Sequence, residues 1–318
     1  HGDRQRIPIN FNQFLVPGGT VRPYPKLSAA SPILPGAALS NITDQTSLGW
    51  SDYKGLWITA NHHLSHGLQL AGSYTLSKST DTNSYDGTTT AQDSTNLADS
   101  VGPSDFDVRH RVSVNMSYDL PFHGNRLMDG WQVVVVEQAQ TGNPLNIAMT
   151  NISTITGTAT VRPDLIGPLP AINPHPNNDA NGFPVSYNWF DGATTVCDPR
   201  IASGNGVCTS SSVFALPYNA AGVAHFGSLG RNVLYGPGFG NTDFSIIKNI
   251  ALQGSARVQL RIEVFNLFNQ ANLGQPGRTA TIATPGIIPA FGTISSSRFP
   301  TGDSGSARQI QFAAKFLF

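Results

Sequence analysis

Ala307-Arg-Gln-Ile-Gln-Phe-Ala-Ala-Lys-Phe-Leu-Phe318 is the stretch that decides how the rest of the chain reads. Ile310, Phe312, Ala314, Phe316 and Phe318 share one parity; Gln309, Gln311, Ala313 and Lys315 share the other. Side chains alternate across a strand, so this segment makes a ribbon with one apolar and one mostly polar face. An aromatic strand left open in water is an aggregation-prone edge. In a barrel that spans a membrane the edge is paired and the apolar face meets lipid. The segment therefore predicts an all-β fold, an antiparallel transmembrane β-barrel.

Composition agrees. Charged residues make up 12% of the 318, against about 25% in an average soluble domain, yet mean hydropathy is only -0.13. No apolar run approaches the roughly 20 residues of a membrane helix. A formal net charge of zero gives no reason to expect nucleic acid as a partner. Cys197 and Cys208 lie in a Gly/Ser/Asn-rich segment, where an oxidising compartment predicts a local disulfide. The chain starts at His1 without Met, which suits a processed protein or part of a longer one.

Working back from the terminus, Val258, Leu260, Ile262 and Val264 oppose Arg257, Gln259, Arg261 and Glu263. Leu68, Leu70, Gly72, Tyr74 and Leu76 alternate most cleanly, over the length a tilted strand needs to cross a bilayer. Phe106–Tyr118 places Arg109 and Arg111 on its polar parity. Further strands are expected at Tyr53–Leu64, Trp131–Gln140 and Asn241–Asn249; Glu137 shares parity with Val133 and Val135, so the second of these has no clear faces. The turn Ser65-His66-Gly67 is short, whereas Ser79 to Asp105 is a long loop with five aspartates and no Lys or Arg. Short turns at one end and long loops at the other are the asymmetry of outer-membrane barrels. Residues 1–47 read as an irregular lead-in, with a short strand near Arg6–Asn12 weakened by Pro8. Strands fill 48–149, a large external loop region 150–238, and C-terminal strands 239–318.

Candidate chemistry is sparse. Asp81-Thr-Asn-Ser-Tyr-Asp-Gly87 resembles a calcium loop only superficially, since its third acidic ligand comes one place late and no Glu follows at the twelfth. His62, His63 and His66 flank a turn and do not converge on a metal. Gly236-Pro-Gly-Phe-Gly240 precedes a strand, not the helix N-terminus that a phosphate cradle requires. Nucleophile elbows and zinc-protease motifs are absent, so neither catalytic residues nor a metal or cofactor is expected and the protein is read as a non-enzyme. Arg109, Arg111, Asp243, Arg257, Arg261 and Glu263 are the candidate lumen-lining residues, more readily a structural charge network than a substrate path.

Several strings resemble the C-terminal barrel of Oar-like TonB-dependent transporters. They include Phe106-Asp-Val-Arg-His-Arg111, Tyr118-Asp-Leu-Pro-Phe122, Arg231-Asn-Val-Leu-Tyr-Gly-Pro-Gly-Phe239, Asp243-Phe-Ser-Ile-Ile-Lys248 and Arg261-Ile-Glu-Val-Phe-Asn-Leu-Phe-Asn269. Their order and spacing extend across 50–318. The resemblance implies the C-terminal section of a larger barrel in the outer membrane of a Gram-negative-type bacterium, with the plug and TonB-contacting segment lying outside this sequence. The implied partners are outer-membrane lipid, the TonB complex, and a nutrient such as a glycan, peptide or metal chelate. They also include the barrel-assembly machinery, acting on the strand of Ile310, Phe312, Phe316 and Phe318. Two other readings fit the alternation: a passive porin or surface adhesin, and a secreted all-β protein that binds or acts on glycans. Roughly eight to ten strands predict either an open curved section or a small closed barrel.

Overall fold

The computed structural model describes residues 2–15, 17–27, 29, 35–84, 91–149, 161–191, 196–252, 256–280, 291–298 and 307–318. Eight long strands form its wall: β1 (Gly2–Asn10), β2 (Thr43–Ser65), β3 (Leu68–Asp81), β4 (His110–Asp119), β5 (Trp131–Gln140), β6 (Phe239–Ala251), β7 (Arg257–Phe265) and β8 (Gln309–Leu317). Each pairs antiparallel with the next in sequence, an up-and-down meander. Gly102–Pro103 adds a short pairing at the upper end of β3. Among the described residues no pairing joins β8 to β1, so the sheet has β1 and β8 as its two edges.

Register turns eight separate alternations into one apolar surface. Leu56, Leu76 and His110 lie in one row, and Ile58, Tyr74, Val112 and Ala139 in the next. Val133, Ile246, Ile262 and Phe312 form another. Phe312 is 75% exposed, which only a nonpolar solvent makes favourable over so wide a face. Glu137 falls on this apolar side, directly between Val114 and Thr242, and accepts a hydrogen bond from Thr242 Oγ1. The opposite side carries Arg111, Gln138, Gln140, Arg261, Glu263 and Gln311.

Chain direction places the connections 66–67, 120–130 and 252–256 at one end. For the connections 11–42, 82–109, 141–238 and 266–308 the chain leaves and re-enters the wall at the other.

Two readings of the sequence need new bounds. The strand expected near Arg6–Asn12 in the lead-in 1–47 is present and longer: β1 starts at Gly2, and β2 begins at Thr43. Arg4 bulges out of β1 at φ 61° and shifts its register, erasing the alternation that would have betrayed it. Residues 106–109 precede β4 rather than belonging to it. The external loop region 150–238 does contain a local hairpin, Ile172–Asn178 with Pro184–Phe190, and its described residues join 145–149, Ala280 and Phe291 in the principal hydrophobic core, which lies outside the wall strands. Leu145, Ile147, Val161, Val196, Phe214 and Phe291 are almost wholly buried in it. Phe291 stacks on Phe190 (5.7 Å between centroids) and meets Phe214 edge-on (5.5 Å). Two-residue ladders satisfy the backbone: Phe214–Ala215 joins both Asp164–Leu165 and Val196–Cys197, and Leu234–Tyr235 joins Pro144–Leu145.

Candidate functional site

The loop end concentrates the polar chemistry of the molecule. Arg231 enters from the segment before β6 and reaches the acidic loop 82–109. Its Nη1 donates to Asp81 Oδ1 (2.6 Å), Asp81 O (2.9 Å) and Ser100 O (3.2 Å); its Nη2 donates to Ser84 Oγ (2.6 Å). Asn232, in the left-handed region at φ 58°, follows with bonds from Nδ2 to Pro103 O (2.7 Å) and Asp105 Oδ1 (2.5 Å). Arg162 makes a second clamp, with Nη2 on Asp99 Oδ2 (2.5 Å) and Asp99 O (2.9 Å), and Nε on Leu229 O (2.7 Å). Burial pulls the Arg162 guanidinium below its ordinary value, Asp99 opposes that shift, and Arg231 adds to it. Gln92 ties the loops together: its Oε1 accepts from Arg162 N (2.6 Å), and its carbonyl accepts from Gln13 Nε2 (2.7 Å).

Close backbone approach makes the clamp compact. A Cβ on Gly102 would lie 2.5 Å from Arg231 O, and one on Gly227 would lie 1.8 Å from Arg162 O. Buried charges are tolerable here because each is paired and hydrogen-bonded several times. The described parts of the loops 11–42, 82–109 and 141–238 are therefore bonded into one cap on the strand ends. The Asp81 carboxylate, suggested by the superficial calcium motif, is taken up by Arg231 and Ser84; residues 85–90 of that stretch lie outside the described residues.

The polar face holds five of the six candidate lumen residues. Arg261 Nη2 and Glu263 Oε1 form an ion pair at 2.8 Å. Asp243 Oδ1 accepts from Asn241 Nδ2 (2.8 Å) and from Asn266 N (2.9 Å), so it shapes the exit from β7. Arg111 and Arg257 lie on the same side, opposite Gln140 and Leu317. Arg109 stands apart, before β4; it lies close enough to Tyr235 to oppose the upward pKa shift that burial and Asp107 impose on that phenol. Cys197 and Cys208 are joined (S–S 2.03 Å) beside the loop core. Ile310, Phe312 and Phe316 project from the apolar side of β8, and the Phe318 ring lies 6.0 Å from that of Phe316.

Sequence reasoning missed the clamp: Arg162, Arg231, Asp99, Gln92 and Asn232 match no motif of chemistry. One signal was present, the five aspartates of 79–105 without a local cation, since buried carboxylates require cations from elsewhere.

A family model described as an outer membrane beta barrel domain matches residues 1–311. The chain belongs to the outer membrane β-barrel domain family. No curated protein and no solved structure matches it. An outer membrane barrel protein has lipid against the apolar rows of β2–β8, and this one is located in the outer membrane. A secreted, water-soluble protein is thereby set aside, since a face carrying Leu56, Ile58, Phe312 and Phe316 has no water-soluble use.

Proposed function

We propose that this outer membrane barrel section belongs to a TonB-dependent receptor that takes up a nutrient and performs no covalent chemistry. The observation that carries the reading is the ordered cap at the loop end, held by Arg162 and Arg231 above a sheet whose inner side is polar and charged. A cap with its own core presents a fixed recognition surface, as selective capture requires and bulk diffusion does not. The motif strings around Arg231–Phe239 and Arg261–Asn269 support the same family choice.

Uptake by cells carrying the intact gene tests it. Growth on a panel of glycans, peptides and metal chelates is compared with and without the gene, and with the proton gradient collapsed. Gene-dependent uptake that stops with the gradient is expected. Conductance of the purified protein in a planar bilayer, coupled to gradient-independent uptake, would make it a passive porin instead.

A further inference from the structure

Lys54 and Lys78 are direct partners across β2 and β3, so two lysines share one cross-strand position on the apolar side of the sheet. Like charges placed opposite one another on a sheet are destabilising. Asp52 offsets one of them, with Oδ2 3.0 Å from Lys54 Nζ, but the Lys54 side chain is 80% exposed and such a pair is weak. Lys78 is exposed and makes no ion pair among the described residues.

Their height on the wall is informative. From Leu68 to Leu76 the outward residues of β3 span about 27 Å along the strand, or about 21 Å along the membrane normal at a tilt of about 40°. Lys78 is the next outward residue beyond that run. Just below, Tyr74 Oη and His110 Nδ1 lie 2.8 Å apart, an aromatic and polar pair of the kind that marks a membrane boundary. The lysines thus stand at the outer interface, on the loop side, facing lipid headgroups rather than the lumen.

We infer that Lys54 and Lys78 form a docking site for a phosphate-bearing lipid headgroup of the outer leaflet. The anion lies between the two ammonium groups and removes their mutual repulsion. The acyl chains run down over Leu56, Leu76 and Ile58, while Tyr74 and His110 border the headgroup. This site is independent of what the barrel transports.

Binding of bisphosphorylated lipid A and of the same lipid stripped of phosphate to the whole protein in detergent, followed by native mass spectrometry, tests the assignment. The phosphorylated lipid should bind preferentially, and K54Q/K78Q should weaken it about thirtyfold, while K54R/K78R retains it. Lys315→Gln, on the opposite side of β8, should change nothing. Equal binding of both lipids to the unaltered protein, or an undiminished preference in K54Q/K78Q, overturns the proposal. So does protection of both lysines from acetylation by inorganic phosphate as fully as by the phosphorylated lipid.

Discussion

Arg231 Nη1 rests 2.6 Å from Asp81 Oδ1, with 8% of the arginine side chain and 2% of the aspartate left to solvent. Asp81 is the last residue of β3, and Arg231 lies 150 residues further along, so the contact fastens the large loop region to the wall. Removing one partner strands the other charge in a dry site. Arg231→Ala should cost about 3–5 kcal/mol in cap stability, read as the urea midpoint for protease resistance of the loops. A substantially smaller loss in the double variant R231M/D81L would show that the penalty comes from the orphaned carboxylate.

Close backbone approach makes a different prediction. Gly227→Ala places a methyl 1.8 Å from Arg162 O, so the strand of loop must shift and loosen the second clamp. A loss of roughly 1–3 kcal/mol is expected. Gly72→Ala, on the lipid side, meets nothing closer than 3.9 Å and should fall within about 0.5 kcal/mol of the parent.

Adjacent residues of β8 distinguish the two sides of the wall. Phe312→Arg should impair folding into bilayers by about 2–4 kcal/mol. Gln311→Arg, next to it on the polar side, should be nearly neutral. Folded fraction after refolding into lipid vesicles measures both, and equal effects would contradict the assignment of faces.

The bond between Cys197 and Cys208 closes a short loop beside Val196 and Phe214, both fully buried. Replacing both cysteines by serine should cost the cap about 2–3 kcal/mol. Cleavage should rise between 198 and 225 while the heat-resistant migration of the wall on gels is unchanged.

Acid should act on the same segment. Arg200, donating to both Asp198 oxygens from its side chain, holds that carboxyl below the ordinary carboxylate range, against a smaller upward push from burial. With a folded pKa below the unfolded one, the stabilisation is complete above about pH 3.9 and disappears as the pH falls through the folded value. A carboxyl titration followed by nuclear magnetic resonance should find Asp198 still ionised below about pH 3.9, and Arg200→Gln should shrink that depression without removing it, because the backbone N–H of residue 200 still donates to Asp198 Oδ1.

The wall was legible because one rule governs it. Leu68 to Leu76 and Arg257 to Phe265 alternate without interruption, and each predicts its own strand. Glu137 looked like a break in such a rule. Only register reveals that it accompanies Val133 and Val135 to the lipid side and finds Thr242 there. The cap obeys no period. Phe214, Leu234 and Val196 belong to ladders only two residues long, so their burial arises from distant partners and leaves no local trace. The two arginine clamps were hidden for the same reason: Arg162 and Arg231 are ordinary surface-type residues until the loops that receive them are in place.

The protein keeps its dry interior outside the bilayer, while the wall within the bilayer is dry on its outer surface. Its two parts therefore answer to different solvents. Urea acts first on the cap, whose cohesion depends on excluding water; detergent chemistry acts first on the wall. A melting scan should contain two transitions, the lower shifting with ionic strength and reductant and the upper with chain length of the detergent. Any single melting temperature assigned to this barrel would then describe whichever half the probe happened to watch.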